Sequence, residues 1–466
     1  MSDLLKRLEH LSPEKRELVL QKLKQQSIQN NGKQTPPLIP VSREQTLSLS
    51  FAQQRMWFLD RLEGESSTYN VPFFWQISGF LNIAALEQAI GKIVRRHEVL
   101  RTSFAVVDGS PIQVIHADLK LKLEVLDWRQ FTEADQLDRS RQLAKDELQQ
   151  PFDLENGSLL RVKLLQFSDR SHLLLLTIHH IACDGWSMDI FRRELFALYS
   201  AFCAQLPSPL PELSLQYADF AHWQRQWLQG DVLQAQLNYW QQQLAAAPPL
   251  LELPTDRSRP STQTYQGGSE FLQLDQDLTQ KLKRLSQESG TTLFMTLLTA
   301  FKLLLSRYSG KEDIVVGSAI ANRNRREIEP LIGFFVNTIA LRTNLQGNPT
   351  FLELLERVKQ VTLDAYDRQD LPFEKLVDEL GLERSLSHHP LFQVVFSLQN
   401  ETPEILAPNG LTLTPFKWEN TTTLFDLSLI FRETPQGLIG EWEYASDLFA
   451  ATTIQRMAGH FVVLIQ

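Results

Sequence analysis

Cysteine is nearly absent from this 466-residue chain, which has only Cys183 and Cys203. Two cysteines without metal-type spacing build neither a disulfide framework nor a zinc site, and they suit a reducing cytosol. No run approaches the roughly 20 apolar residues that span a bilayer. The N-terminus also lacks the apolar core of a secretory signal: residues 1–26 read as a charged helical appendage striped with Leu4, Leu8, Leu11, Leu18 and Leu23. Nor is there an excess of basic charge. Lys and Arg number 46 against 55 Asp and Glu, a net charge of −9, which argues against a nucleic-acid partner. Apolar residues, in contrast, make up 43% of the chain, enough for a large buried core.

The polar, proline-bearing stretch 27–46 has the composition of a linker. From Leu47 the pattern turns mixed. Leu86, Ile90 and Ile93 fall at helical spacing, Val162 and Leu164 alternate as in a strand, and Leu173 to Ile178 read as a more buried strand. A Gln-rich helical region, Gln224 to Gln243, runs into the proline-rich Pro248 to Pro260, where a boundary is expected. Beyond it the style repeats, with a helix carrying Leu293, Leu297, Leu298 and Phe301 and then the strand Ile314-Val315-Val316. The expected organisation is α/β (α+β), with an N-terminal lobe over 47–225 and a C-terminal lobe over 226–466. Ligands favour the cleft between such lobes. The last residues stop inside an apolar helical pattern, as in a chain cut from something longer.

The most informative stretch is His179-His180-Ile181-Ala182-Cys183-Asp184-Gly185-Trp186-Ser187. A strand delivers two adjacent histidines to a turn, and a helical pattern begins after Asp184-Gly185 (Ile190, Phe191, Leu195, Leu198, Tyr199, Phe202). Neighbouring residues on a strand point to opposite faces, so the two imidazoles cannot share one role. One can enter a cleft while the other anchors the turn, an arrangement that presents a single general base and makes acyl transfer the first chemistry to test.

Several blocks surround this segment. They are Ser50-Phe51-Ala52-Gln53-Gln54-Arg55-Met56-Trp57, Arg96-His97-Glu98-Val99-Leu100-Arg101-Thr102-Ser103-Phe104 and Tyr217-Ala218-Asp219-Phe220-Ala221-His222-Trp223. Further on come Ile332-Gly333-Phe334-Phe335-Val336-Asn337-Thr338, Gln369-Asp370-Leu371-Pro372-Phe373-Glu374 and Pro390-Leu391-Phe392-Gln393. In this order and spacing the chain resembles the condensation domains of nonribosomal peptide synthetases, from about Leu47 to Leu464. The resemblance implies two chloramphenicol-acetyltransferase-like lobes in a V-shaped pseudo-dimer, with the histidine motif at their junction. It implies donor and acceptor peptidyl carrier proteins, each bringing a thioester on a 4'-phosphopantetheine arm, and an adenylation domain downstream. No cofactor bound by the chain itself and no metal are expected. Residues 50–55 and 333–338 look like those of domains joining two L-configured residues. Met56 and the Ala182-Cys183 pair are small departures from the family pattern.

By the same resemblance His180 is the catalytic histidine, acting as a base or as the acceptor that orients the amine. His179 reads as a core histidine, and Asp184 as half of an ion pair that holds the turn, with Arg101 as its partner. Gly185 is expected to allow close backbone approach or an unusual turn. Asn337 is read either as a substrate contact or as a strand-end cap, and Trp186 and Ser187 as tunnel lining. Arg55, Trp57 and Arg96 suit scaffold roles, and Arg323, Arg325 and Arg326 suit a solvated charge run better than a carrier-docking patch. An acyl-cysteine at Cys183 is disfavoured, because no partner histidine is aimed at it. Three alternatives compete: an acyltransferase of this fold using a free amine or alcohol acceptor or an acyl-coenzyme A donor, a lipopeptide starter domain with a fatty acyl donor, and an inactive docking scaffold.

Overall fold

The computed structural model describes residues 35–466 apart from 65, 120, 382–384, 401–404, 408–409 and 417–421. The helix expected over 1–26 and residues 27–34 of the expected linker lie outside the described residues. Contacts divide the chain into two units, residues 1–39 and residues 40–466. Residues 35–39 of the first contain neither helix nor strand.

The second unit opens with strand β1 (Leu47–Ser48), helix α1 (Phe51–Glu63), strand β2 (Asn70–Ser78) and helix α2 (Ile83–Arg96). Helix α1 starts at a capping box: the Ser50 hydroxyl accepts the Gln53 amide, and the Gln53 side chain accepts the Ser50 amide. In α2 the face of Leu86, Ile90 and Ile93 is buried, as its spacing predicts. A 3-10 turn, Glu98–Arg101, leads into β3 (Thr102–Val107) and β4 (Ser110–Ile115). These two form a hairpin closed by Asp108 and Gly109 at positive φ (49° and 75°), the backbone that an Asp-Gly pair tolerates. Then come β5 (Glu124–Asp127), α3 (Glu133–Gln149), β6 (Leu160–Gln166) and β7 (Ser171–His179). Helices α4 (Gly185–Cys203), α5 (Tyr217–Trp227) and α6 (Gly230–Gln243) follow.

The remaining elements are β8 (Gly267–Leu274), α7 (Gln276–Glu288), α8 (Leu293–Ser309), β9 (Asp313–Ile320), β10 (Asn337–Asn344), α9 (Phe351–Tyr366) and α10 (Phe373–Glu379). Strands β11 (Val394–Asn400), β12 (Ile405–Ala407), β13 (Leu411–Pro415), β14 (Leu427–Thr434) and β15 (Gly437–Ala445) precede the last helix, α11 (Ala451–Ile465).

Two six-stranded mixed sheets organise these elements, in the orders β12-β13-β2-β7-β6-β5 and β10-β9-β11-β14-β15-β8. This is the mixed α/β fold expected. Strand β7 lies inside the first sheet between β2 and β6, and residues 172–179 are all buried. That position explains why its sequence is a continuous apolar run rather than an alternating one. Strand β13 comes from late in the chain yet pairs with β2, from Thr412 opposite Ser78 to Pro415 opposite Trp75. The second sheet has its own core, including Leu237, Trp240, Phe301, Val316, Phe396, Trp442 and Phe461.

The proline-rich stretch 248–260 runs along the surface, with residues 254–258 exposed, and is anchored through Leu251, Leu253 and Arg259. Leu251 and Leu253 are buried in the second core, the Leu251 amide donates to the Gln393 side chain at 2.8 Å, and Arg259 makes a two-pronged ion pair with Asp426. Prolines here suit an extended strap whose own amides need few partners.

Candidate active site

Strand β7 ends at His179, and a short 3-10 turn, His180–Ala182, carries the chain to the first residue of α4. The two imidazoles diverge there. His179 is buried, its Nδ1 accepts the Ile181 amide at 3.1 Å, and its ring meets the edges of Phe152 and Tyr69. Burial, reinforced by the neighbouring His180 and Arg161, pushes its pKa down to about 3, so it is neutral and committed to the turn.

His180 is only part-buried. Its Nδ1 lies 2.6 Å from the Cys183 carbonyl oxygen. A carbonyl can only accept, so in the neutral ring the proton sits on Nδ1 and the lone pair on Nε2. Among the described residues Nε2 has no hydrogen-bond partner. The Phe334 ring stands against the imidazole, with centroids 4.7 Å apart. Cys183 is fully buried, and burial beside Asp184 pushes its thiol well above the ordinary range, which leaves it a poor nucleophile.

Asp184 caps α4 and is almost wholly buried. Its Oδ1 accepts the Ser187 amide at 2.8 Å and lies 2.7 Å from the Ser187 hydroxyl, while Oδ2 accepts the amides of Phe335 (3.0 Å) and Val336 (3.2 Å). Its ionic partner is Arg323, at 3.2 Å, rather than the expected Arg101. Arg101 instead donates to the His116 carbonyl at 2.6 Å and lies 3.7 Å from Glu98. Arg323 corrects a second expectation, because it is 8% exposed and not part of a solvated run. Its Nη1 donates to the carbonyls of Ile328 and Leu331, each at 2.7 Å, and its guanidinium lies over the Phe335 ring. Burial lowers its pKa and Asp184 opposes that shift, an arrangement that a permanently protonated guanidinium can sustain.

The other expected site residues take varied places. Ser187 is buried, with its hydroxyl between Asp184, Arg323 and the backbone of Gly333, so it braces the site rather than lining a channel. Trp186 is exposed, and its indole N–H donates to the Glu329 carbonyl at 3.1 Å. Asn337 is fully engaged. It donates to the carbonyls of Gln369 and Leu371 and accepts the amides of Thr338 and Phe373, which is a clamp at the start of β10 rather than a free substrate contact. Gly185 opens α4 without a left-handed φ, and a Cβ there would meet nothing within 4 Å, so the expected unusual turn is absent. Arg55 pairs with Glu374 and Arg96 with Glu194.

Sequence reasoning passed over two supports. Glu194 binds both Arg96 and His97, and the other ring nitrogen of His97 accepts the Ile332 amide at 3.3 Å. Burial lowers the pKa of His97, which keeps that nitrogen free to accept. Tyr217 reaches the Phe334 carbonyl at 2.6 Å. With the Asp184 and Ser187 contacts, the backbone from Ile332 to Val336 is therefore held at almost every amide by residues of the first half.

A family model described as the condensation domain matches residues 43–466. The chain belongs to the condensation-domain family. A component of the linear gramicidin synthase of Brevibacillus parabrevis is 50% identical over 431 residues, covering 92% of this chain and 6% of that protein. Phosphinothricin tripeptide synthetase PhsC of Streptomyces viridochromogenes is 40% identical over 470 residues, covering 100% of this chain and 43% of the synthetase. The chain thus spans only a small part of the curated relatives it matches, most of which are synthetases of several times its length. Among solved structures, the X-domain in its complex with OxyB from teicoplanin biosynthesis superposes with a TM-score of 0.83 at 31% identity, covering 93% of this chain and 95% of that one. Among the described residues no single helix is long and apolar enough to cross a membrane, and no group of three or more His, Cys, Asp or Glu could hold a metal ion.

Proposed function

We propose that this condensation domain joins two carrier-bound substrates, with His180 serving the attack of the acceptor α-amine on the donor thioester carbonyl. The products are an amide and a free thiol. Both substrates would arrive on phosphopantetheine arms of donor and acceptor carrier proteins, in the cytosol, with an adenylation domain downstream. Residues 50–55 and 333–338 favour L-configured residues on both sides.

The observation that carries this reading is the contact of His180 Nδ1 with the Cys183 carbonyl, which makes Nδ1 the donor and, among the described residues, leaves Nε2 without a partner. An α-amine with a pKa of about 8 is roughly one-tenth neutral at pH 7, so the imidazole need not create a strong nucleophile. It needs to orient a nearly ready amine and take the proton released as the zwitterionic intermediate collapses, a role typically worth ~10²–10⁴-fold. Gly185 is exposed in the first turn of α4, where the backbone dipole is positive, which supports a contact of its amide with the developing oxyanion. His179, Asp184 and Arg323 hold the turn. As a working division, residues 47–225 and 226–466 form the two lobes, with β12 and β13 exchanged into the first sheet.

The X-domain complex with OxyB favours a second reading, in which a domain of this fold serves to bind another protein. One assay separates the two. Donor and acceptor carrier proteins are loaded with aminoacyl groups, and the intact mass of the acceptor is followed. A gain of the donor acyl group on the acceptor arm supports condensation. Turnover of free amines or coenzyme A esters without transfer between carriers contradicts it, as does tight carrier binding with no transfer of any kind.

A further inference from the structure

Three blocks that the chemistry above does not use converge on the catalytic imidazole. Ser50, Tyr217 and the Gly333-Phe334 pair lie far apart in sequence but form one buried chain of hydrogen bonds. The Tyr217 hydroxyl donates to the Phe334 carbonyl at 2.6 Å, and its oxygen lies 2.8 Å from the Ser50 hydroxyl. Because a carbonyl only accepts, the tyrosine proton is spent on Phe334, and the Ser50 hydroxyl must be the donor to Tyr217. Ser50 in turn accepts the Gln53 amide at 3.0 Å, which fixes it as the cap of α1. Burial raises the pKa of Tyr217 well above that of an ordinary phenol, so it remains a donor.

The backbone on either side of Phe334 is equally constrained. A Cβ on Gly333 would fall 2.0 Å from the Tyr217 ring, so only glycine lets the segment lie flat against that ring. Gly333 donates to Ser187, and Phe335 donates to Asp184. The Phe335 ring packs between Tyr217 and Phe220, on the scaffold. Phe334 takes the opposite direction, onto His180, at 4.7 Å between centroids and 56° between planes.

We propose that Phe334, set in place by the Tyr217 hydroxyl, is a positioning residue for His180. The inference rests on the proposed role of His180. The imidazole is held at Nδ1 by one hydrogen bond, so a flip about the Cβ–Cγ bond breaks only that contact and turns Nε2 away. The Phe334 ring closes one face and keeps Nε2 aimed in one direction. Misplacing a reacting group by about 1 Å can lower a rate on the order of 100-fold.

The test uses the full chain with isotope-labelled histidine, the wild type and two variants. Phe334→Leu removes the flat ring without touching the hydrogen bonds, and Tyr217→Phe removes only the hydroxyl. The His180 ring nitrogens are assigned by their loss in His180→Gln and read by NMR, and transfer between carriers is measured as kcat and KM for the acceptor. The wild type should show a single Nδ1–H tautomer. Phe334→Leu should show averaged ring nitrogens, with kcat lower by about 10- to 100-fold and KM essentially unchanged. Tyr217→Phe should shift both readouts the same way by less. An unchanged kcat in Phe334→Leu overturns the proposal, and so does a rise in KM alone, which would make Phe334 a substrate wall. If the wild type itself transfers nothing, the proposed reaction fails. The ring nitrogens then decide the positioning separately: averaging supports it, and an unchanged spectrum overturns it.

Discussion

Asp184 accepts from Ser187, Arg323, Phe335 and Val336, and so ties the start of α4 to a backbone stretch about 150 residues later. A buried pair broken on one side leaves an uncompensated charge, typically at a cost of about 3–5 kcal/mol. Arg323→Ala should therefore lower the unfolding free energy, read by urea titration, by an amount in that range. Arg101→Ala removes one hydrogen bond to a carbonyl, so its cost should be about 1 kcal/mol. A larger loss from Arg101→Ala than from Arg323→Ala would restore the pairing that the sequence suggested. That pairing could not have been corrected from sequence alone. Arg323 stands 139 residues from Asp184, beside Arg325 and Arg326, and three arginines in a polar run look solvated until the fold buries one of them. The divergent placements of His179, buried, and His180, part-buried, in contrast, were legible from strand alternation together with the family resemblance.

At the scale of elements, the strand-turn-helix that carries the histidines was visible because its apolar period changes from continuous to helical at Asp184. Proline marks both linkers and extended packed segments, so the prolines of 248–260 suggest a boundary, while the anchoring of the strap through Leu251 and Leu253 is visible only in the fold. Helix α8 shows another feature that periodicity hides. Lys302 sits on its buried face, and its ammonium donates to the Leu341 carbonyl (2.7 Å) and the Thr343 hydroxyl (2.6 Å) of β10. Burial pushes its pKa down to about 7, only partly offset by Asp313. The unfolded chain titrates this group near roughly 10.4, so between these values the unfolded state binds more protons and stability rises with pH. Below the folded value the penalty is complete and constant, and above the unfolded value it vanishes. Lys302→Met removes the group, so its stability advantage over the wild type should shrink by ~1.4 kcal/mol per pH unit across that window. Parallel unfolding profiles from about pH 7.5 to 9.5 would contradict this reading.

For the whole molecule, two neutral histidines, the buried His179 and the part-buried His389, contribute to the acid limit. Burial pushes His179 and His389 down to about 3, helped by His180 in the first case and by Arg55 in the second. The unfolded chain protonates them near about pH 6.5, so stability is lost as pH falls below that value, by about 2 kcal/mol for each at pH 5. His389 is surrounded by Phe373, Phe392 and Phe425, a setting that accepts another aromatic ring. His389→Phe should keep about 2 kcal/mol of what the wild type loses between pH 7 and pH 5, and an equal loss in both proteins would contradict the assignment. The proposed chemistry turns on one nitrogen, Nε2 of His180. The measurement that tests its role most directly is single-turnover transfer between loaded carriers by the wild type and His180→Ala, with the melting temperature of each recorded. The predicted result is a fall in rate of at least ~10²-fold with the melting temperature unchanged. Full transfer by His180→Ala, or a loss of transfer accompanied by an equally large loss of stability, would show that Nε2 does not serve the reaction.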